Sequence, residues 1–440
     1  MIPCAVFWDQ SFIWGLFVYD TLVRLRIPFD VVNAPAIRSG ALENYAVLII
    51  PGGWASHKKM ALGPEGENAI RRFVHGGGNY IGFCGGAGLA LSGENTLDMV
   101  PVYRLPLKKR LPSASGTVYI RLTPDHPVSR KFPETIRTNV WWPSQFDIEH
   151  VDKIHPIAFY EAIGDDFWVS DIPAKGMDSD RLQKFESIYG INLDPCKCFL
   201  GHPAIIEGYY GSGKLILSYP HLETPDDEEG NELFRQLLVY LEEETKKPYR
   251  KPEFSRTSVM LPCRRDYLSV ERMIDKVKTF IELGESYLLW FWRKPWILGW
   301  KRGVRGLEYS MLMISLAFLG MSVLSLSEVE GRTNVSSVWT DRLAKLEALI
   351  DDFLNHAKKL LMLERVSSLD SPRSKIEKSS NSEMDKLRLY LFGRRMSHGG
   401  LCREIFDILD ILLFDALVLL NNYNTPIRLH SVKAMLDNFS

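Results

Sequence analysis

The sequence predicts an α/β domain built on a parallel sheet, followed by an all-α helical region. Short β-branched runs alternate with amphipathic stretches through the first half of the chain, and long apolar stretches at helical spacing fill the second. The run Tyr45-Ala-Val-Leu-Ile-Ile-Pro-Gly-Gly adds a third sign. It is apolar on consecutive positions, as a strand covered on both faces must be, and it breaks at a turn.

Taken in order, strands are expected at 3–9, 28–33, 45–51 and 78–83, with helices at 11–25 and 65–75 separating some of them. Later strands fall at 117–122, 203–210 and 214–219. A helix over 226–244 carries Phe234, Leu237, Leu238 and Leu241 on one stripe and closes a domain of residues 1–244. Residues 245–265 read as a linker, because the stretch TKKPYRKPEFSRTS is basic, proline-bearing and poor in large aliphatics. Residues 266–440 read as a helical domain of unassigned role, with helices at 266–290, 304–326, 337–365, 386–396 and 401–421. A polar, serine-rich loop at Ser367–Ser382 interrupts it.

Acidic and basic residues cancel to a net charge of −1, so no global field marks the chain for nucleic acid, and none is expected as a partner. The 6 cysteines are sparse and irregularly spaced, which points to a reducing compartment and a cytoplasmic location. The N-terminal apolar run lacks a basic flank and stops at Asp9 and Gln10, so it reads as a first strand and not as a signal peptide. Tyr309–Ser327 is uncharged and follows Lys301, Arg302 and Arg305, but its serines dilute it. A buried helix is the preferred reading, with membrane attachment through 286–327 as the alternative.

The chemistry centres on Gly76-Gly77-Gly78-Asn79-Tyr80-Ile81-Gly82-Phe83-Cys84-Gly85-Gly86-Ala87-Gly88, whose core is Gly-x-Cys-x-Gly. A nucleophile on a sharp strand-to-helix turn needs small neighbours two residues to either side, which Gly82 and Gly86 provide. The following helix would present its N-terminus to the sulfur and favour the anion, so Cys84 is expected to be reactive. Standing alone, the motif could also be a structural cysteine in a glycine-rich turn. It does not stand alone. After the strand ending at Tyr219 come His221 and Glu223, two apart, so that His221 could take the Cys84 proton while Glu223 fixes the ring's tautomer.

The order Pro-Gly-Gly, then Gly-Gly-x-Tyr-x-Gly-x-Cys-x-Gly-Ala, then His-x-Glu resembles the class I glutamine amidotransferase superfamily, in the branch similar to the N-terminal domain of eukaryotic biotin–protein ligases, over about residues 1–244. The resemblance implies a flavodoxin-like sheet, Cys84 as nucleophile, His221 as general base and Glu223 as orienting carboxylate. It further implies an oxyanion hole from the backbone N–H groups of Gly53 and Gly85, with Gly52, Trp54, His57 and Gly86 about the pocket. One departure matters. Family members that use glutamine usually carry a glutamine, or a histidine–glutamine pair, a few residues past the nucleophile, where this chain reads Gly85-Gly86-Ala87-Gly88-Leu89. Nor does the chain carry a biotin-ligase catalytic loop, a dinucleotide fingerprint or an ATP site.

Weaker signals have plainer readings. Gly208-Tyr-Tyr-Gly-Ser-Gly-Lys214 lacks the magnesium-binding Ser/Thr of a phosphate loop and reads as a hairpin turn. Cys196-Lys-Cys198 has no second ligand pair nearby, and no metal or other cofactor is expected. The sequon at Asn334 is set aside, and Asp125-His126-Pro127, Trp141, Trp142 and Gln145 are read as packing before cleft wall. Trp290, Trp292, Trp296 and Trp300 fit a core corner as well as a membrane-interface or partner-docking face. The expected activity is cysteine-dependent hydrolysis or transfer on a small-molecule or peptide amide or ester, through an acyl-thioester on Cys84. The competing reading is a non-catalytic metabolite- or peptide-binding module, with the helical half attached to a protein partner or membrane.

Overall fold

In a computed structural model of the chain, the residues described are 4–148, 153–244, 261–329, 337–370, 382–394 and 399–438. The chain divides into two compact units, Met1–Glu253 and Phe254–Ser440. The stretch 245–260, most of the expected linker, lies outside the described residues, as do 371–381 of the expected loop and the sequon at Asn334.

The first unit holds an 11-stranded sheet: β1 (Cys4–Phe7), β2 (Phe29–Val32), β3 (Val47–Ile50), β4 (Asn79–Phe83), β6 (Ala114–Leu122), β7 (Thr135–Trp141), β9 (His155–Ile163), β10 (Trp168–Val169), β11 (Ile172–Pro173), β12 (Pro203–Tyr210) and β13 (Gly213–Ser218). A separate short ladder pairs β5 (Tyr103–Arg104) with β8 (Phe146–Asp147). Five strands form the parallel block, in the spatial order β2-β1-β3-β4-β13, the flavodoxin-like arrangement. Strand β13 then pairs antiparallel with β12, and the sheet continues antiparallel through β9 and β6. The result is a mixed sheet. The expected hairpin at Gly208–Lys214 is the β12–β13 turn, with Gly211 left-handed at φ 61°.

Helices cover both faces. On one, Val18 and Leu22 of α1 (Phe12–Arg24) and Phe234, Leu237 and Leu238 of α7 (Glu228–Glu244) pack on Val6, Ile49, Ile81 and Ile216. On the other, α2 (Ala34–Arg38), α3 (Ala55–His75) and α4 (Gly85–Ala90) bring Ile37, Leu62, Ile70 and Ala87 onto Phe7, Leu48, Tyr80 and Leu217. Every residue of β3 is buried, as its unbroken apolar run requires. Two short helices, α5 (Ser179–Tyr189) and α6 (Pro195–Cys198), flank the antiparallel extension.

The second unit is helical: α8 (Arg264–Ser286), α9 (Leu307–Ser327), α10 (Ser337–Asp370), α11 (Ser382–Phe392), α12 (Gly400–Tyr423) and α13 (Leu429–Asn438). Three points differ from expectation. Residues 290–300 form a hairpin, β14 (Trp290–Lys294) with β15 (Ile297–Trp300), because aromatic and β-branched residues flank a two-residue turn. Left-handed Gly393, φ 72°, ends α11 before residue 396. Helix α13 was not expected.

The four tryptophans divide between settings. Trp290 is buried, lies against Gly284, and donates from Nε1 to the Ile281 carbonyl at 2.8 Å; Trp296 is buried as well. Those two are core residues. Helix α9 is long and apolar enough to cross a membrane by composition. Within this unit it packs against α8, α12 and α13, and Ser322 returns its hydroxyl to the Phe318 carbonyl at 2.7 Å.

Candidate active site

The site lies where four parallel strands end. Loops leaving β1, β3, β4 and β13 converge at the carboxyl edge of the sheet, the place such folds leave open for ligands. Strand β4 delivers Cys84 and its parallel neighbour β13 delivers His221. Their ladder runs on into the turn, because the Cys84 N–H donates to the Ser218 carbonyl at 2.7 Å.

Cys84 has φ 46° and ψ −101°, a region that a residue with a Cβ occupies only under constraint, at a cost of about 1–3 kcal/mol. This is the sharp strand-to-helix turn expected at this position. The glycines around it are steric necessities. A Cβ on Gly82 would lie 2.6 Å from the Gly86 carbonyl carbon, one on Gly86 would overlap the Ile50 carbonyl, and one on Gly85 would overlap the Gly53 carbonyl. Gly86 therefore provides clearance for the turn.

His221 and Glu223 are both fully buried, and the ring's Nδ1 is 2.6 Å from the carboxylate Oε1. The backbone holds this corner: the His221 N–H donates to the Asn139 carbonyl at 2.8 Å, and the Thr224 hydroxyl to the His221 carbonyl at 2.7 Å. Burial opposes a charge on the ring. The Glu223 carboxylate, and after it the neighbouring Cys84, outweigh it, and the His221 pKa rises from 6.5 to about 10. Trp14 covers the imidazole with ring centroids 4.5 Å apart. A Cβ on Gly52 would come within 2.8 Å of both His221 Cε1 and Trp14 Cγ, so Gly52 lies close against both rings.

Gly53 has φ 105°, and a side chain there would strike the Gln10 carbonyl. Among the described residues, neither the Gly53 nor the Gly85 amide donates to a backbone carbonyl in a turn or cap. Beneath this loop lies Lys58, fully buried, donating from Nζ to the Ser11 hydroxyl at 2.6 Å and toward the Asp9 carbonyl at 3.4 Å. The Asp9 carboxyl accepts the Ala34 N–H at 2.7 Å. Burial pushes its pKa up, against the pull of that amide and of Lys58. Trp54 precedes α3, edge-on to Phe12, and His57 is buried with its ring 6.2 Å from Trp54.

Sequence reasoning missed Trp14, Lys58 and two arginines. Arg104 on β5 lies over Gly88, one helical turn past Cys84, where a Cβ would overlap its guanidinium. Arg110 donates to the Ser144 hydroxyl. Gln145 does not line a wall: fully buried, it accepts the Leu111 N–H at 2.8 Å on its side chain and the Leu105 N–H at 3.0 Å on its carbonyl, clamping the arginine-bearing loop. His126 caps the turn at 127–131 and sits 3.7 Å from Glu207. Among the described residues no group of three or more His, Cys, Asp or Glu is gathered as for a metal.

Residues 30–93, which span the Pro-Gly-Gly turn and the elbow, match the profile of the family described as "Biotin-protein ligase, N terminal". No curated protein matches the sequence. Solved structures similar to the chain include a putative GMP synthase subunit from Thermoplasma acidophilum, at 12% identity and TM-score 0.36, covering 55% of this chain and 96% of that one. Another is a glutamine amidotransferase from Thermotoga maritima, at 12% identity and TM-score 0.31, covering 55% and 83% respectively. A third is a putative ThuA-like protein from Bacteroides uniformis, at 10% identity and TM-score 0.37, covering 56% and 93%. Over residues 30–93 the N-terminal unit is thus similar to that family, and its parallel strand order is the flavodoxin-like one.

Proposed function

We propose that the N-terminal unit is a cysteine-dependent hydrolase or acyl transferase acting on an amide or ester. The observation that carries the reading is a cysteine held at φ 46° on the elbow, with a fully buried His221–Glu223 pair on the adjoining strand end. In the first step Cys84 Sγ attacks the substrate carbonyl carbon while His221 takes the thiol proton, a role its raised proton affinity suits. The carbonyl oxygen becomes an oxyanion received by the Gly53 and Gly85 amides. The C–N or C–O bond then breaks, His221 returns the proton to the leaving group, and an acyl-thioester remains on Cys84. Water or an acceptor nucleophile, deprotonated by His221, attacks that thioester and releases the thiol.

The test is alkylation of Cys84 by iodoacetamide across pH in wild-type and His221→Ala protein, followed on the Cys84 peptide by mass spectrometry. Fast alkylation near neutral pH, slowed at least about tenfold by the substitution, is the expected result. Slow, glutathione-like reaction that the substitution leaves unchanged would reject the catalytic pair and favour a binding module.

A further inference from the structure

Two guanidiniums stand beside the nucleophile, and among the described residues neither meets a counter-charge. Arg104 lies across Gly88, and Arg110 follows on the same loop. Among the described residues neither has a carboxylate within ion-pair distance. Asp147, on the strand paired with β5, stands opposite Tyr103, and so on the other face of that ladder from Arg104. The charge of Arg104 disfavours that of Arg110, and among the described residues no carboxylate offsets it.

The surroundings are built, not incidental. Besides the Gln145 clamp, the Asn192 side chain donates to the Lys108 and Arg110 carbonyls at 3.0 and 2.9 Å. The loop is therefore fixed before any ligand arrives. Three buried polar atoms here have no hydrogen-bond partner, Arg110 Nε and the Tyr160 and Tyr219 hydroxyls, and such orphans call for an explanation. Tyr219 connects the group: its environment includes Arg104, Arg110 and Cys84, and Cys84 also acts on Tyr160. Burial weakens Arg110's hold on its proton, Tyr219 and Cys84 strengthen it, and Arg104 weakens it further.

From this geometry we infer that Arg104 and Arg110 receive a carboxylate or phosphate carried by the substrate close to its scissile carbonyl. The inference rests on the acyl-transfer reading above and names its substrate class, an anionic amide or ester. Arg104 occupies the space over Gly88 that a longer residue at that position would fill. Guanidiniums suit this task because their planar fork matches the paired oxygens of either anion.

The experiment compares alkylation of Cys84 by anionic iodoacetate and by neutral iodoacetamide. The ratio of the two rates, referred to that of glutathione, cancels differences in the sulfur itself. We expect a ratio at least about tenfold above glutathione in the wild type, the low end for a cleft of one charge sign, and a fall toward the glutathione value in Arg110→Gln and Arg104→Gln. A wild-type ratio equal to that of glutathione, or a raised ratio that both variants keep, overturns the proposal. Malonate and inorganic phosphate as protectants against iodoacetamide separate the two anions: protection by either supports the pocket and identifies its preference, and protection by neither counts against it. Should Cys84 prove inert to both reagents, the acyl-transfer reading fails. Calorimetric titration of malonate and phosphate into the full chain then decides whether the anion pocket stands without it.

Discussion

Replacing Glu223 by Gln keeps the shape of the side chain and removes its charge. In the wild type the carboxylate lies 2.6 Å from His221 Nδ1, both groups are buried, and the ring's pKa is raised from 6.5 to about 10. At about 1.4 kcal/mol per tenfold change in proton affinity, that rise corresponds to about 5 kcal/mol favouring the charged ring. Cys84 contributes part of it, so the share lost with Glu223 is about 3 kcal/mol, the size expected for breaking one buried ion pair. The sign follows from proton linkage. A histidine whose pKa is raised on folding contributes fully below pH 6.5 and loses its contribution as pH climbs toward 10. Glu223→Gln is therefore expected to be less stable than wild type by about 3 kcal/mol near pH 6, with the gap closing by about pH 10. Urea denaturation of the full chain, followed by tryptophan fluorescence at half-unit intervals of pH, measures it, with Trp14 against the ring as a nearby reporter. A gap that stays constant from pH 6 to 10 would refute the argument, because a neutral hydrogen bond has no such pH window.

Other substitutions probe the elbow and the second unit. Gly85→Ala puts a Cβ onto the Gly53 carbonyl, so the turn must shift; a loss of about 1–3 kcal/mol and slower Cys84 alkylation are expected, and an unchanged melting temperature with unchanged alkylation would contradict the steric reading. Trp290→Ala empties a buried site and frees the Ile281 carbonyl, so a loss of about 3–5 kcal/mol is expected in denaturation of the second unit, and a loss under about 1 kcal/mol would show the indole to be peripheral.

The residues that could be read from the sequence are those whose role is imposed by local backbone geometry. A strand-to-helix turn at Cys84 tolerates only small neighbours, so the glycines announce it, and the β3 run announces its own burial through unbroken apolarity. His221 and Glu223 were visible because they follow the last strand of the parallel block at spacing two. Trp14, Lys58, Arg104 and Arg110 were not, since each enters through space from an element whose local pattern is ordinary; Trp14, for one, is another apolar residue on a buried helix. Some missed features did leave a signal. Residues 135–141 are β-branched on alternate positions, and the aromatic runs on either side of Pro295 and Trp296 are strand-like. The antiparallel side of the sheet had no such marker, because periodicity gives a strand without its partner.

That Cys84 and His221 are delivered by paired neighbours β4 and β13 has a kinetic consequence. The two strands are far apart in sequence, so their pairing closes a long loop and belongs among the slower events of folding. Until it forms, Cys84 and His221 are not brought together. A chain still emerging from synthesis, with β4 made and β13 not yet made, carries Cys84 as an ordinary cysteine. On the proposed acyl-transfer reading, a change in the rate of Cys84 labelling during refolding would mark that last pairing.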